Sequence, residues 1–462
     1  MERVRNLGTD AKRKGKLCAM ALLDVKNAFN SIPWMGIISE IKKRGISEYL
    51  VNILMSYFEH RKLKIEDNVV DLSCGVPQGS VLGGTLWNIY YDPVLRMEVQ
   101  ANSKLIAYAD DLVVVTWADT KTDLEREMKE TIIQIENWME DHKLKLALQK
   151  TEIVMLASKR RCKEISVEIG GMVVTSKMCA KYLGVYFDRD MRMKEHLKKA
   201  VEKAGKTANN LARVMPNIDG PDNGKRRMLA SVVYSILLYG APVWGNVTKW
   251  HKYVTLLERV QRKVMLRLCR AYRTTSTPAL QIITGTLPIE LMVKEKVELY
   301  TLNKINDEEE QKIREEELKE NLWEIWMEKW ENETTRGQWT KRIIKNVKEW
   351  VERKHGCVTY EMSQFLTGHG NFGTYLKRMR KVRTERCQYC EYEQDDPCHT
   401  FFGCQRFNEA RQECYRRIGR ELSPDNVIEE ILKCRENWEI YVGMIRKIIR
   451  IKEADGRLRA QQ

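Results

Sequence analysis

The stretch Leu105-Ile106-Ala107-Tyr108-Ala109-Asp110-Asp111-Leu112-Val113-Val114-Val115 constrains this chain most. Two apolar runs flank a polar tip, a pattern that predicts a β-hairpin with Asp110 and Asp111 at its turn. Strands this apolar belong in a core, so the hairpin holds two adjacent carboxylates at a core's edge. Unpaired, such anions repel each other and carry a desolvation penalty of about several kcal/mol. A divalent cation removes the penalty. An ordinary Asp-Asp turn is the plainer alternative.

A third carboxylate is as oddly placed. Leu17 to Leu23 is an unbroken apolar run, fit for a buried strand, and it ends at Asp24. Charge at the end of a buried strand suits a ligand group, or an aspartate that opens a helix.

Composition limits what surrounds these groups. The 462 residues allow about two to four domains, and 43% apolar with 31% charged residues describes a globular chain. The net charge of +15 and pI near 9.1 favour a polyanionic partner. No apolar run reaches transmembrane length, and Ser231 to Trp244 is broken by Gly240 and Pro242. The first residues lack the apolar centre of a signal peptide. Twelve cysteines without a secretory signal read as reduced thiols or metal ligands, and six of them fall in the last 76 residues.

The first sixteen residues are polar and basic, with no apolar periodicity. Pro33-Trp34 opens a helix that stops at Gly45; a second covers Glu48 to His60, and short strands follow around Leu63 to Leu72. The turn Cys74 to Gly84 is rich in glycine but lacks a P-loop lysine and dinucleotide spacing. A helix from Thr85 to Val99 is expected to break at Asp92-Pro93. Leu124, Met128, Ile132, Ile135 and Met139 recur at helical spacing. Lys150-Thr151 precedes a strand, Gly170-Gly171 turns a hairpin, and Tyr182 to Phe187 reads as one further strand. These elements predict an α+β fold: a mostly antiparallel sheet in a split βαβ arrangement, with helices on one face.

Beyond Asp190 the pattern is helical and basic, with helices over Lys194 to Arg213, Val232 to Leu238 and Val254 to Leu268. Trp323, Trp326 and Trp330 share one helix face, which packing explains better than base stacking. Near the end, Cys387, Cys390, His399 and Cys404 have ligand types and spacing that close a tetrahedral zinc site. Cys398 competes as a ligand. The basic run Lys377 to Arg386 precedes this module, and Phe401 and Phe402 either stack on bases or pack it.

If the strand ending at Asp24 neighbours the Asp110-Asp111 hairpin, three carboxylates can hold two magnesium ions about 3.5–4 Å apart. Phosphoryl transfer needs that charge placement more than it needs a protein acid or base.

Leu23-Asp24-Val25-Lys26-Asn27-Ala28-Phe29-Asn30-Ser31, Gly75-Val76-Pro77-Gln78-Gly79-Ser80-Val81-Leu82-Gly83, Tyr108-Ala109-Asp110-Asp111 and Tyr182-Leu183-Gly184-Val185 stand in the order and spacing of reverse transcriptases. They resemble the enzymes of retrotransposons that lack long terminal repeats. Leu238 to Trp244, Tyr272 to Ser276 and the terminal zinc knuckle are similar to type-1 elements that insert into ribosomal DNA. A group II intron maturase is the rival resemblance, but its turn usually reads Pro-Gln-Gly-Gly, whereas Ser80 follows Gly79 here.

The resemblance implies an RNA-directed DNA polymerase with a right-hand palm (residues 1–190, fingers largely missing), a helical thumb (191–300), a charged connector (301–380) and a zinc-knuckle tail (381–462). It makes Asp24, Asp110 and Asp111 the magnesium ligands and Phe29 the steric gate against a 2′-hydroxyl. Gln78 and Gly79 line the nucleotide pocket, and Lys150 acts near the pyrophosphate. Residues 182–185 match the primer grip. The implied partners are the element's RNA template, a target-DNA primer end and deoxynucleoside triphosphates, with no membrane. The implied place of action is the nucleus, although no targeting signal stands out.

Gly84 replaces a usual proline, and Asn30 a commoner aspartate. Asp24 lies so near the start that the fingers, and the endonuclease expected of such polyproteins, are missing. A carboxy-terminal fragment is therefore expected. The alternative is a non-catalytic nucleic-acid-binding remnant of such an element.

Overall fold

The structure, a computed structural model, describes residues 1–460, which divide into two units at Leu197. The first unit opens on α1 (Glu2–Arg13), β1 (Leu17–Asp24), α2 (Ala28–Ser31), α3 (Trp34–Lys43) and α4 (Glu48–Phe58). A hairpin of β2 (Lys62–Ile65) and β3 (Asn68–Asp71) precedes α5 (Val81–Leu95), β4 (Ser103–Tyr108), β5 (Asp111–Ala118) and α6 (Lys121–Asp141). Then come β6 (Glu152–Ala157), the pair β7 (Ser166–Ile169) and β8 (Met172–Thr175), and the pair β9 (Cys179–Tyr182) and β10 (Val185–Asp188).

The central sheet has the order β4-β5-β1-β6, every pair antiparallel. With helices between β1 and β4 and between β5 and β6, this is a split βαβ arrangement. On one face Leu17, Ala19, Ala21 and Leu23 of β1 join Leu112 and Val114 of β5 and the apolar stripe of α6. The intervening Cys18 and Met20 are buried as well. Helices therefore cover both faces, not one. The second cover is α1, which packs on β1 and β6.

That helix was invisible as a periodic pattern because its inward residues are Val4, Gly8 and Ala11. A β-carbon on Gly8 would meet the Leu156 β-carbon at 2.9 Å, so the close approach needs glycine. A helix seated this way explains why β1 is apolar throughout instead of alternating.

Two expected boundaries move. α5 runs through Pro93 without a break. Proline leaves the carbonyl four residues back without its helical partner, and here the Arg44 guanidinium reaches that carbonyl, on Ile89, at 3.4 Å. Residues 182–187 are not one strand but the tip of a hairpin. Leu183 (φ 46°) and Gly184 (φ 85°) turn the chain between β9 and β10, with Val185 paired to Tyr182.

α7 (Lys194–Val214) opens under the buried Asp188 carboxylate, which accepts the Met193 and Lys194 amides at 2.7 and 2.8 Å. The second unit is helical: α8 (Asn223–Leu238), α9 (Ala241–Trp244), α10 (His251–Leu268), α11 (Thr277–Thr284), α12 (Ile289–Leu302), α13 (Glu308–Glu331), α14 (Gln338–Ile343) and α15 (Val347–Glu352) come first. α16 (Tyr360–Thr367), α17 (Gly373–Arg378), α18 (Asn408–Ile418), α19 (Val427–Lys433) and α20 (Arg435–Ala460) complete it. One hydrophobic core gathers residues from Met265 to Ile449. Trp326 and Trp330 of the acidic α13 are buried in it, with Trp323 packed edge-on against Trp326, so packing explains that stripe. Among the described residues no single helix is long and apolar enough to cross a membrane.

Candidate active site and candidate metal centre

Register alone brings the first set of residues together. Asp24 is the last residue of β1 and pairs directly with Asp111, the first of β5. Ala109 and Asp110 form the two-residue turn between β4 and β5, with Ala109 in the left-handed region at φ 53°. Asp111 is solvent-exposed, yet partial desolvation at the sheet's edge raises its carboxyl above the ordinary range, and the charges of Asp110 and Asp24 push it the same way. Three carboxylates thus share one end of the sheet and repel one another.

The loop after β1 is fixed from the far side of the sheet. The Ala147 amide donates to the Asp24 carbonyl at 2.8 Å, and Val25 bridges to Leu146. This places Lys150, at the end of a short 3-10 turn, with its ammonium 2.8 Å from Asp24 Oδ2. That hydrogen bond and the attraction of the anion raise the lysine's pKa.

Phe29, in α2, and Gln78, in the turn before α5, come from two segments sewn together. The Val76 amide donates to the Phe29 carbonyl and the Gly75 amide to Ile32, both at 2.8 Å. Trp34 Nε1–H donates to the Gly75 carbonyl at 2.7 Å. Gly75 is left-handed at φ 85°, and a β-carbon there would stand 2.8 Å from the Asn30 carbonyl oxygen, so only glycine fits. Gln78 and Gly79 are exposed on the turn that follows. Ser80 then caps α5 by accepting the Gly83 amide at 3.0 Å. Gly84, the position where proline was the expected residue, lies inside the first turn of α5 with open space around it.

Two further side chains belong to this neighbourhood. Trp87, fully buried in α5, donates its indole N–H to the Ala109 carbonyl at 2.9 Å. Tyr182 is buried, and the Asp111 charge adds to the burial that pushes its phenol up to about 12. Residue-type reasoning passed over Trp87, since a tryptophan inside an apolar helix carries no chemical signal.

The donor set is what a hard divalent cation takes: carboxylate oxygens, mutually repulsive and at a solvent-facing edge. The three groups nonetheless do not bring ligand atoms within 4.8 Å of one another, a condition met among the described residues by one other set. Asp24 leans toward Lys150 instead.

That other set is Cys387, Cys390, His399 and Cys404, in the second unit. Cys387 Sγ and Cys404 Sγ are 3.8 Å apart, Cys390 Sγ and Cys404 Sγ 3.9 Å, and Cys390 Sγ and His399 Nε2 3.3 Å. A tetrahedron with Zn–S bonds of about 2.3 Å has sulfurs about 3.8 Å apart, so the thiols stand where zinc would hold them. Burial pushes the Cys404 thiol up to about 12. A cation would reverse that cost.

A wide helical turn over His399–Gly403, closed by the Cys404 amide on the His399 carbonyl at 2.7 Å, delivers the second pair of ligands. The His399 ring stacks on Tyr392, 4.4 Å between centroids. Cys398, the competing ligand, stands outside the group, with Arg342 beside it. Phe401 is fully buried between Phe365 and Phe372, so it packs the module instead of facing solvent.

Sequence reasoning also missed the module's anchor. Asp395, beside the ligand loop, takes the Lys452 ammonium from α20 at 2.7 and 2.8 Å and the Gly373 amide at 2.9 Å. Both side chains of this ion pair are buried.

Residues 2–187 match the family model described as reverse transcriptase (RNA-dependent DNA polymerase). The chain is 26% identical over 407 residues to a 115 kDa protein in the type-1 retrotransposable element R1DM of Drosophila melanogaster, matching 84% of this chain and 39% of that protein. It is also 26% identical over 360 residues to a retrovirus-related Pol polyprotein from the type-1 retrotransposable element R1 2 of Nasonia vitripennis, covering 73% and 86%. The chain thus spans well under half of the first of these relatives. Among solved structures, apo telomerase from Candida tropicalis is similar at a TM-score of 0.36 and 12% identity, covering 67% of this chain and 55% of that one.

Proposed function

We propose, from the premise that residues 2–187 are a reverse transcriptase domain and the chain a homologue of R1-type Pol polyproteins, that it is the polymerase part of such a polyprotein. It would extend a primer end on nicked target DNA by copying the element's RNA, in the nucleus. The observation that carries this reading is the register pairing of Asp24 with Asp111 beside the Asp110 turn. In this reading residues 1–190 act as a palm, the helices from 191 to 300 as a thumb, 301–380 as a connector and 381–462 as a nucleic-acid-binding tail.

Two magnesium ions, when bound, supply the charge that lowers the barrier to attack by the primer hydroxyl and to departure of pyrophosphate. Asp24, Asp110 and Asp111 would hold them. Phe29 closes the space beside a 2′-hydroxyl, and the exposed Gln78-Gly79 turn lines the nucleotide's approach. Lys150 is charged and close to the metal-binding edge. From Asp24 it can pass to the leaving pyrophosphate and give it a proton. Cys387, Cys390, His399 and Cys404 would hold zinc, and the basic run Lys377 to Arg386 would meet phosphates.

The test is primer extension by the 462-residue chain on an RNA template, with magnesium titrated, beside filter binding of the same RNA. Extension should depend on magnesium and fall at least about a thousandfold in Asp110→Ala. Strong RNA binding with no incorporation by the unsubstituted chain would favour the non-catalytic remnant, for which the basic charge of the whole chain speaks.

A further inference from the structure

Trp87 touches two of the segments that build the candidate active site. Its indole N–H meets the Ala109 carbonyl at 2.9 Å, in the turn that presents Asp110. Its ring stacks on Phe29, with centroids 5.3 Å apart and planes 25° apart. One helical turn on, Tyr91 stacks against it at 4.7 Å and backs it from the core. A left-handed alanine is disfavoured by about 1 kcal/mol or more, so the turn at Ala109 needs an outside partner to stay as it is. The indole N–H is such a partner. It fixes the plane of the peptide joining Ala109 to Asp110, and so the direction in which Asp110 leaves the turn. Phe29, half-buried in the short helix α2, gains its backing from the same ring.

We propose that Trp87 is a positioning residue that locks the metal-binding turn through its N–H and the sugar-sensing ring of Phe29 through its face, so that the two move as one piece. This rests on reading Asp24, Asp110 and Asp111 as a metal site. The two contacts are separable by chemistry. Phenylalanine keeps a ring against Phe29 but has no N–H; leucine has neither.

The experiment uses the 462-residue chain with Mn2+ as the probe, bound ion being read as loss of the free-ion paramagnetic resonance signal. Asp110→Asn defines the site, because the Mn2+ it fails to bind is the Mn2+ to be scored. Trp87→Phe should weaken that binding by about three- to tenfold, as loss of one hydrogen bond to a positioned carbonyl allows. Its backbone amides should exchange faster at 108–111 and unchanged at 28–31, whereas Trp87→Leu should exchange faster in both segments. Unchanged Mn2+ affinity in Trp87→Phe overturns the proposal. So does a uniform rise in exchange across residues 1–197, which marks general destabilisation. If Asp110→Asn removes no bound Mn2+, the metal reading itself fails, and the role of Trp87 falls with it.

Discussion

At the scale of single residues, the candidate active site is a place where charge is held against its own preference. Asp111 is pushed toward its neutral form by burial and by two neighbouring carboxylates. A group with a raised folded-state pKa removes stability once the pH exceeds its ordinary value, since the fold then carries a charge it disfavours. Asp111 is solvent-exposed, so water screens much of this effect; Asp111→Asn should raise the midpoint of thermal unfolding at neutral pH only slightly, by about 1 °C, while primer extension is lost. An unchanged or lower midpoint would show that the carboxylates do not oppose one another. The aspartates and the cysteine-histidine set were legible in the sequence because each breaks a rule, charge at the end of an apolar strand or ligand atoms at metal spacing. Trp87 and Lys452 obey the ordinary look of their helices, and only their partners, 22 and 57 residues away, reveal what they do.

At the scale of elements, what the sequence concealed follows one pattern: small residues and turns carry little hydrophobic signal. α1 buries a glycine and an alanine, so its inward face looks polar in a one-dimensional reading. The β9–β10 turn needs a left-handed Leu183, a residue not associated with turns. The strands and α6 were readable because large apolar residues mark them at their own periods. The turn after α13 makes a prediction of its own. Glu333 accepts Arg336 Nη2 at 2.6 Å and the Thr335 hydroxyl at 2.8 Å, and these bonds hold its pKa down to about 2. A depressed carboxylate contributes stability above its ordinary pKa and loses it as pH falls. Glu333→Gln should lower the unfolding midpoint at pH 7, and the difference from the unsubstituted chain should shrink between about pH 4.5 and 2. A difference that persists at pH 2 would locate the effect elsewhere.

At the scale of the whole molecule, the candidate zinc centre is built into a core and not hung from a linker. Phe401, Cys387 and Cys404 belong to the same buried cluster as Trp350 and Ile445. Zinc removal by a strong chelator should therefore lower the melting of the helical second unit as a body, seen as lost helical circular dichroism and faster exchange in α16 and α20. Cys387→Ser should do the same with zinc present. A second unit that melts identically with and without zinc would remove the metal from the account of its stability. Lys452→Ala strands Asp395 as a buried, unpaired anion and should cost about 3–5 kcal/mol in denaturant unfolding. That ion pair also sets an order of events during synthesis. The loop that supplies His399 leans on a lysine more than fifty residues later, in α20, so the ligands are made well before the partner of the anion beside them. The ligands can gather early, but the anion beside them lacks its cation until Lys452 has been made. A ligand loop that folds before Lys452 is added therefore closes over a buried, unpaired carboxylate, and a chain cut short before Lys452 should hold zinc more loosely.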